Sequence, residues 1–210
     1  MNVNNRPTML SELPPSQSPA SIPPAGRILA ICTSQTKGHC KHPSPQGTLR
    51  ADHGLEGDAH AGNWHRQLSL LALSDIEWMR ARSRVELRFG CFAENFVLDG
   101  IDFPTVHVGT RLALGRTAEI EITQIGKECH VGCAISRQVG TCIMPTRGLF
   151  ARVLRGGEVF LRDPAIVHGA SWIPHDVAPR PLVEMPATGS ALLHDDSCEN
   201  IPMPNDAYYA

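Results

Sequence analysis

The strongest constraint on the fold is a series of short apolar runs, each about as long as one β-strand. Residues 118–124 alternate between apolar and polar side chains, a pattern typical of a strand with one buried face. Residues 111–114 precede them across a Gly-Arg turn, and this arrangement predicts a hairpin. Residues 27–32 and 67–73 are apolar runs of strand length. The chain therefore resembles a set of short strands more than a bundle of helices.

Later segments extend this pattern, and only two segments suggest a helix. Residues 95–98 predict a strand, and residues 158–161 and 165–168 predict a second hairpin. The Ser-Asp-Ile-Glu sequence at residues 74–77 fits a capping box that opens a short helix ending near residue 82. Apolar residues with helical spacing in 149–154, followed by two glycines, predict another helix. Many short strands with few helices predict a mainly β protein, a barrel or closed sheet.

The proline distribution divides the chain into a core and two tails. Its 210 residues suffice for one ordinary domain with tails. Residues 1–25 hold six of the 17 prolines and few apolar side chains, so we expect a disordered leader. Residues 171–210 hold six more prolines and an acidic stretch, and we expect a tail that docks in part at most. The folded domain should span residues 26–170.

Charge and hydropathy exclude several kinds of partner. The net charge is −2 and no basic run is present, which argues against nucleic-acid binding. No apolar stretch approaches the ~18 residues that a membrane-spanning helix needs, and the N-terminus lacks the pattern of a signal peptide. We therefore expect a cytoplasmic protein. In a reducing compartment its seven cysteines should be thiols, metal ligands or catalytic groups rather than a disulfide framework.

The segment after the alternating strand concentrates reactive side chains. Cys129, His130, Cys133 and Cys142 fall within 14 residues. Lys127 and His130 flank Cys129 and favour its thiolate, which attacks electrophiles and binds soft metals. A buried structural cysteine is the alternative. A zinc site made by all four side chains is another, although their spacing differs from that of common zinc motifs.

Three further segments carry polar groups next to predicted strands or helices. Residues 52–67 form a loop rich in histidine, charge and glycine, as ligand-binding loops often are, although a solvated surface loop has the same composition. In this loop Arg66 is the best candidate for binding an anion. Glu94 and Asn95 lie between two phenylalanines and would either line a pocket or fix a loop. Arg147, at the start of the predicted helix, could lie near a bound anion.

Together these segments resemble the MOSC family, which is named for the C-terminal domain of molybdenum-cofactor sulfurases. The resemblance is closest to small standalone members and covers most of the 26–170 core. It rests on motifs in the family's order: G-L-E-G-D-A-H-A-G (54–62), W-H-R-Q (64–67), F-A-E-N (92–95), G-I-D-F (100–103), V-G-T-R-L (108–112), G-K-E-C-H (126–130) and R-G-L-F-A-R-V-L-R-G-G (147–157).

The resemblance implies a β-barrel-like closed sheet with a few short helices, and it singles out Cys129. In relatives that bind molybdenum cofactor the matching cysteine is a metal ligand, and in others it is proposed to carry sulfur as a persulfide. The sulfurases' pyridoxal-phosphate domain has no counterpart here, so no pyridoxal phosphate is expected. The residues that the resemblance places around the pocket are Asp58, Arg66, Glu94, Asn95 and Arg147.

The leading hypothesis is a thiol-dependent enzyme for sulfur transfer or carbon–sulfur bond cleavage on a small metabolite. Cys129 would be the nucleophile and persulfide carrier, with His130 or His60 as proton-transfer partner. Cys133 or Cys142 would resolve the intermediate, and His65 would join the ligand-binding residues. The alternative is a molybdenum-cofactor carrier, or a reductase of N-hydroxylated compounds, with Cys129 as the molybdenum ligand. The ligand would be a small sulfur compound or a pterin, and the oligomeric state is left open.

Overall fold

Eleven strands and two short α-helices make up the part of the chain that the structure, a computed structural model, describes: residues 25–83, 86–128 and 142–168. A single 3-10 turn, Phe103–Thr105, is also present there. The helices are α1 (Leu73–Arg80) and α2 (Met144–Arg147). The strands are β1 (Ala25–Thr33), β2 (His42–Ser44), β3 (Gln46–Arg50), β4 (Gly54–Leu55), β5 (Leu68–Ala72), β6 (Phe96–Asp99), β7 (Arg111–Leu114), β8 (Ala118–Ile125), β9 (Leu149–Arg155), β10 (Gly157–Phe160) and β11 (Pro164–His168).

Seven of these strands close into a barrel, as the sequence predicts. Around the ring the order is β1, β11, β7, β8, β9, β5 and β6, and β6 pairs again with β1. Strand β1 closes the ring because its first residues pair with β11 and its middle pairs with β6. Its last residues pair with β2, which lies outside the ring. The predicted hairpin of β7 and β8 is confirmed.

The barrel interior is filled by aliphatic side chains. In β8, residues 118, 120 and 122 are fully buried, whereas the residues between them are partly exposed. The same alternation brings Leu70, Phe96 and Leu149 into the interior. Burial of each large aliphatic side chain stabilises the fold by about 1.5–3 kcal/mol, so this interior core contributes strongly to stability.

A second apolar layer, the outer layer, covers one outer face of the barrel. Successive side chains of a strand point to opposite faces of the sheet. Leu71, Val97 and Phe150 each follow or precede an inward-facing residue, so they point outward. Helix α1 buries Ile76 and Met79 against this face. The buried members of the outer layer are Ala30, Cys32, Leu71, Ile76, Met79, Leu87, Phe89, Phe92, Val97, Ile143, Met144 and Phe150.

The two helix predictions need correction. Helix α1 exists, but it begins at Leu73, its N-cap is Ala72, and no side chain caps it, so the capping box is wrong. The helix predicted over 149–154 is strand β9, which pairs with both β8 and β5. Leu149 and Val153 fit both periodicities, and only the neighbouring strands, which supply the backbone hydrogen bonds, decide between them.

The second predicted hairpin is also wrong, although both of its strands exist. Strand β10 pairs with β3 in a small sheet with β4, whereas β11 pairs with β7 and β1 in the barrel. The connection turns sharply at Arg162, which has φ 69°. Buried Asp163 holds this turn, because its carboxylate accepts a hydrogen bond from the N–H of Phe160 at 2.9 Å.

The end of β8 and the start of β9 touch directly. The N–H of Gly126 donates to the carbonyl of Gly148 at 2.7 Å. Gly126 has φ +65°, and a Cβ there would lie 2.2 Å from the carbonyl oxygen of Pro145, so a side chain would push the two segments apart. The chain between them leaves the barrel and returns at one point, which we call the neck.

Candidate functional site

Asp58 lies in a buried ion pair with Lys41 at the edge of the outer layer. The Lys41 ammonium contacts both carboxylate oxygens of Asp58, at 2.9 and 2.8 Å. The side chains are 1% and 0% exposed, so the pair is removed from water. The N–H groups of Ser34 and His60 also donate to the carboxylate, at 3.2 and 2.9 Å. Asp58 therefore has a hydrogen-bond partner for each oxygen.

The electrostatics keep this pair charged. Burial raises the pKa of Asp58, but the hydrogen bonds from His60 and the charge of Lys41 outweigh it and hold that pKa well below its usual range. Burial lowers the pKa of Lys41, and Asp58 opposes this change. A carboxylate with a cation in contact favours its ionised form.

Sequence reasoning missed Lys41. It lies in the polar loop between β1 and β2, where no apolar periodicity indicates burial. A charged residue is rarely buried without a partner, so the sequence feature that could have indicated Lys41 is its partner Asp58. A motif carboxylate enclosed by the fold requires a cation from somewhere in the chain.

His60 lies beside this ion pair. Its ring Nδ1 is 3.4 Å from Oδ1 of Asp58, longer than an ordinary hydrogen bond, and the side chain is 29% exposed. Both main-chain groups of His60 are hydrogen-bonded. Its N–H donates to Asp58, and its carbonyl accepts from the Trp64 indole at 2.8 Å. The histidine is therefore held with one ring nitrogen facing a buried carboxylate.

Glu94 is buried completely and binds main chain. Its carboxylate accepts hydrogen bonds from the N–H of Gly90 at 2.6 Å and of Phe92 at 3.0 Å. Burial raises the pKa of Glu94 to about 7, although these N–H groups and the charge of Lys41 act in the opposite direction. Gly90 packs against Lys41, and a Cβ at Gly90 would lie 2.0 Å from the Lys41 carbonyl oxygen.

Asn95 links three strands. Its side-chain oxygen accepts from the N–H and the hydroxyl of Ser69, and its amide donates to the carbonyl of Cys32 at 3.1 Å. These bonds join β6 to β5 and β1. Glu94 and Asn95, both predicted to line a pocket, thus make their described contacts inside the protein.

Arg66 and Lys127 flank one aromatic ring. The Arg66 guanidinium lies 5.7 Å from the centroid of the Phe150 ring, and the Lys127 ammonium lies 6.0 Å from it. Arg66 also stacks on Trp64 at 5.0 Å. Neither cation forms an ion pair with a described residue, and the buried Nε of Arg66 has no hydrogen-bond partner among them. These two cations and Phe150, the cationic edge, occupy the strand end from which the segment with Cys129 departs.

His65 and Arg147 have other described contacts. The Nε2 of exposed His65 lies 3.1 Å from the side-chain oxygen of Gln124. Arg147 forms an ion pair with Asp75 at 2.6 Å and lies over the Trp78 ring at 5.5 Å. It ends α2 rather than beginning a helix, so the expected array of helix N-terminal amides is not at Arg147.

The central cysteine segment falls largely outside the described residues. Cys129, His130 and Cys133 lie in 129–141, so their surroundings and the zinc alternative are not described. Cys142 is half-buried and packs against the outer layer. Within the described ranges no group of three histidine, cysteine or carboxylate side chains could hold a metal ion, and no helix is long and apolar enough to cross a membrane.

The remaining described cysteines differ in state. Cys40 is disulfide-bonded, so the expectation of thiols, ligands or catalytic groups does not hold for it. Its sulfur lies 3.6 Å from the carbonyl oxygen of Cys91. Cys32 and Cys91 are buried free cysteines, and burial raises the pKa of both thiols. They are therefore poor nucleophiles.

Comparison with known proteins identifies the family. The model of the MOSC domain matches residues 57–164, just over half of the chain. The chain belongs to the MOSC domain family. The match includes Asp58, Arg66, Glu94 and the neck, and it makes the chain a molybdenum-cofactor-related domain. No match was found among curated proteins.

Solved structures share the fold of this MOSC domain. The YuaD protein of Bacillus subtilis is 17% identical with a TM-score of 0.57, and the match covers 70% of this chain and 97% of that one. YiiM of Geobacillus stearothermophilus is 18% identical with a TM-score of 0.54, covering 69% and 75%. YiiM of Escherichia coli is also 18% identical, with a TM-score of 0.52 and coverage of 70% and 72%.

Proposed function

We propose that this MOSC domain is a thiol-dependent sulfur-handling enzyme in which Cys129 is the nucleophile and persulfide carrier. The observation that carries the proposal is the cationic edge of Arg66, Lys127 and Phe150. Two cations without a carboxylate partner among the described residues favour a nearby thiolate and attract an anionic sulfur compound. Cys129 follows Lys127 by two residues, so the reactive thiol is close in sequence to one of these cations.

The proposed step is an exchange at sulfur. The Cys129 thiolate attacks the terminal sulfur of a persulfide-type donor, a new S–S bond forms, and the donor leaves as its thiolate. Cys133 or Cys142 then attacks the Cys129 sulfur and releases hydrosulfide, which takes its proton from His130 or His60. The resulting disulfide requires a thiol reductant before the next cycle. Carbon–sulfur bond cleavage in a small metabolite would use the same thiolate and anion-binding side chains.

Mass spectrometry tests this proposal directly. Incubation with a persulfide donor should add about 32 Da, one sulfur atom, to the peptide that contains Cys129. Cys129→Ser should abolish both this addition and turnover, whereas Cys32→Ser, at a buried cysteine with a raised pKa, is the matched control and should retain both. Full activity in Cys129→Ser would contradict the proposal.

A second proposal, favoured by the family match, is that the domain binds molybdenum cofactor as a carrier or as a reductase of N-hydroxylated compounds. The residues fit an anionic pterin, because the buried Nε of Arg66 lacks a hydrogen-bond partner among the described residues. Arg66 and Lys127 would hold its phosphate, and Cys129 would supply a thiolate to the metal. The cofactor would supply redox chemistry at molybdenum, while the protein residues bind and orient it.

Elemental analysis separates the two proposals. Stoichiometric molybdenum with an extractable pterin in the purified protein, lost in Cys129→Ala and reduced in Arg66→Leu, would support the second. Protein that is free of molybdenum after expression in a host that makes the cofactor, and that still forms the persulfide, would support the first.

A further inference from the structure

The buried ion pair of Lys41 and Asp58 lies beside the ring of His60, which is partly exposed. We propose that Asp58 and Lys41 are positioning residues that hold the His60 imidazole with its Nδ1 proton toward Asp58 and its Nε2 toward solvent. His60 can then take up a proton at Nε2 and pass it on. Its use in sulfur transfer rests on the proposed function, whereas its orientation does not.

The geometry supports this orientation. Oδ1 of Asp58 accepts from the His60 N–H at 2.9 Å and lies 3.4 Å from the ring Nδ1, which is buried and makes no hydrogen bond to any described residue, so Oδ1 is the acceptor that stands nearest to it. An ionised carboxylate can only accept hydrogen bonds, so the nitrogen that faces it carries the proton. Nε2 is then left as an acceptor.

Lys41 keeps Asp58 in the ionised form that this orientation of His60 requires. A buried carboxylate without a cation would take up a proton and become a donor as well as an acceptor. Lys41 keeps Asp58 ionised, because its ammonium contacts both oxygens. A buried ion pair is often no more stabilising than apolar residues of the same size. The orientation of His60 therefore accounts for this pair better than stability does.

A purely structural role makes a different prediction. Asp58 also shapes its own turn, since the His60 N–H bond spans two residues, as in an Asx-turn. If that were its whole role, removal of the charges would alter stability and leave the ring nitrogens unaffected. The state of the His60 ring thus separates positioning from turn formation.

The experiment is ¹⁵N NMR of the histidine rings in the full chain at about pH 9, where an ordinary imidazole is neutral. The His60 signals are assigned from their loss in His60→Gln. The wild type should show the Nδ1–H tautomer. In the double variant Lys41→Met/Asp58→Leu, which removes both charges and leaves no unpaired ion, the Nε2–H form should become the major one.

Glu94→Gln is the matched control, because it removes the charge of a second buried carboxylate that does not contact His60, and its His60 should retain the wild-type tautomer. An unchanged tautomer in a folded double variant would overturn the proposal. Circular dichroism verifies folding, and Asp58→Asn, in which the amide can turn its NH2 toward the ring, provides a second variant with the same expected loss of Nδ1–H.

The activity arm uses the rate at which hydrosulfide is released from the Cys129 persulfide, the step in which the proposed function gives His60 its proton transfer. Loss of His60 orientation should slow it about 10–100-fold, less than complete loss of general acid–base catalysis, about 10²–10⁴-fold. If no persulfide forms even in the wild type, the proposed function fails while the tautomer result still decides the orientation of His60.

Discussion

Two buried carboxylates, Asp58 and Glu94, lie in neighbouring loops and illustrate two ways to satisfy a buried acid. Asp58 is in direct contact with the Lys41 ammonium, and its pKa is held well below the usual range. Among the described residues, the hydrogen-bond donors to Glu94 are main-chain N–H groups, and burial raises its pKa to about 7. Both are well hydrogen-bonded, so the presence of a contacting cation separates them.

The difference indicates separate roles. A main-chain N–H donor satisfies the geometry of a carboxylate, but it returns less of the lost hydration energy than a full charge does. Glu94 therefore fixes the turn through Gly90 and Phe92 and, with a pKa of about 7, is only partly ionised near neutral pH. Asp58 remains an anion that can act on His60.

The largest expected effect is the loss of the cation. Lys41→Met keeps the size of the side chain but leaves Asp58 buried without its counterion, and should lower the free energy of unfolding by about 3–5 kcal/mol. Denaturant unfolding measures this. Lys41→Met/Asp58→Leu should recover most of the loss, and a double variant as unstable as the single one would show that the pair itself stabilises the fold.

The next effect is a pH dependence of opposite sign at the two carboxylates. The folded-state pKa of Glu94, about 7, lies above the ordinary 4.5, so its contribution is fully present below pH ~4.5 and is lost as the pH rises through 7. The loss should reach about 3 kcal/mol at most. Unfolding measured from pH 5 to 8 should show this decline in the wild type and a flatter profile in Glu94→Gln. Equal slopes would exclude Glu94 as its source.

Asp58 acts in the other direction and in another range. Its folded-state pKa lies below the ordinary 3.8, so its contribution is present above that pH and is lost on acidification. The Lys41→Met/Asp58→Leu variant should lose less stability than the wild type when the pH falls below about 4. If the double variant lost as much stability below pH 4 as the wild type, the ion pair would not be a source of the acid sensitivity.

The smallest effect concerns a third carboxylate, which tests whether a cation matters equally when it is exposed. Arg147 contacts Asp75 at 2.6 Å, but the arginine side chain is 48% exposed. A double-mutant cycle with Arg147→Ala and Asp75→Ala should give a coupling of about 0.5–1 kcal/mol, because water screens the pair. A coupling as large as the effect of Lys41→Met would show that exposure is not the deciding variable.

The sequence predicted the barrel well because its signals are local. Alternation in β8 and the apolar runs of β1 and β5 persist in the fold, since each strand presents one face to the same interior. Strand β9 was mistaken for a helix because its apolar residues fit both periods. The pairing of β10 and β11 depends on partners far away in the chain, which no short pattern specifies.

The candidate site was only partly predictable for a related reason. Asp58, Arg66 and Glu94 stand in recognisable motifs, but the motif does not reveal that Glu94 binds main chain. Lys41 is the clearest omission, because its role depends on contact with Asp58, 17 residues further on. The contact follows from the fold rather than from any local spacing.

The neck also has a consequence for how such a domain can change. Because Gly126 meets Pro145 and Gly148 directly, the barrel strands on either side are already joined without the intervening residues. Lengthening this segment should cost little, since closing a longer loop adds only about 0.6 kcal/mol per doubling of its length. The same barrel can therefore carry segments that differ in length and in reactive side chains, and new chemistry can arise without a new fold.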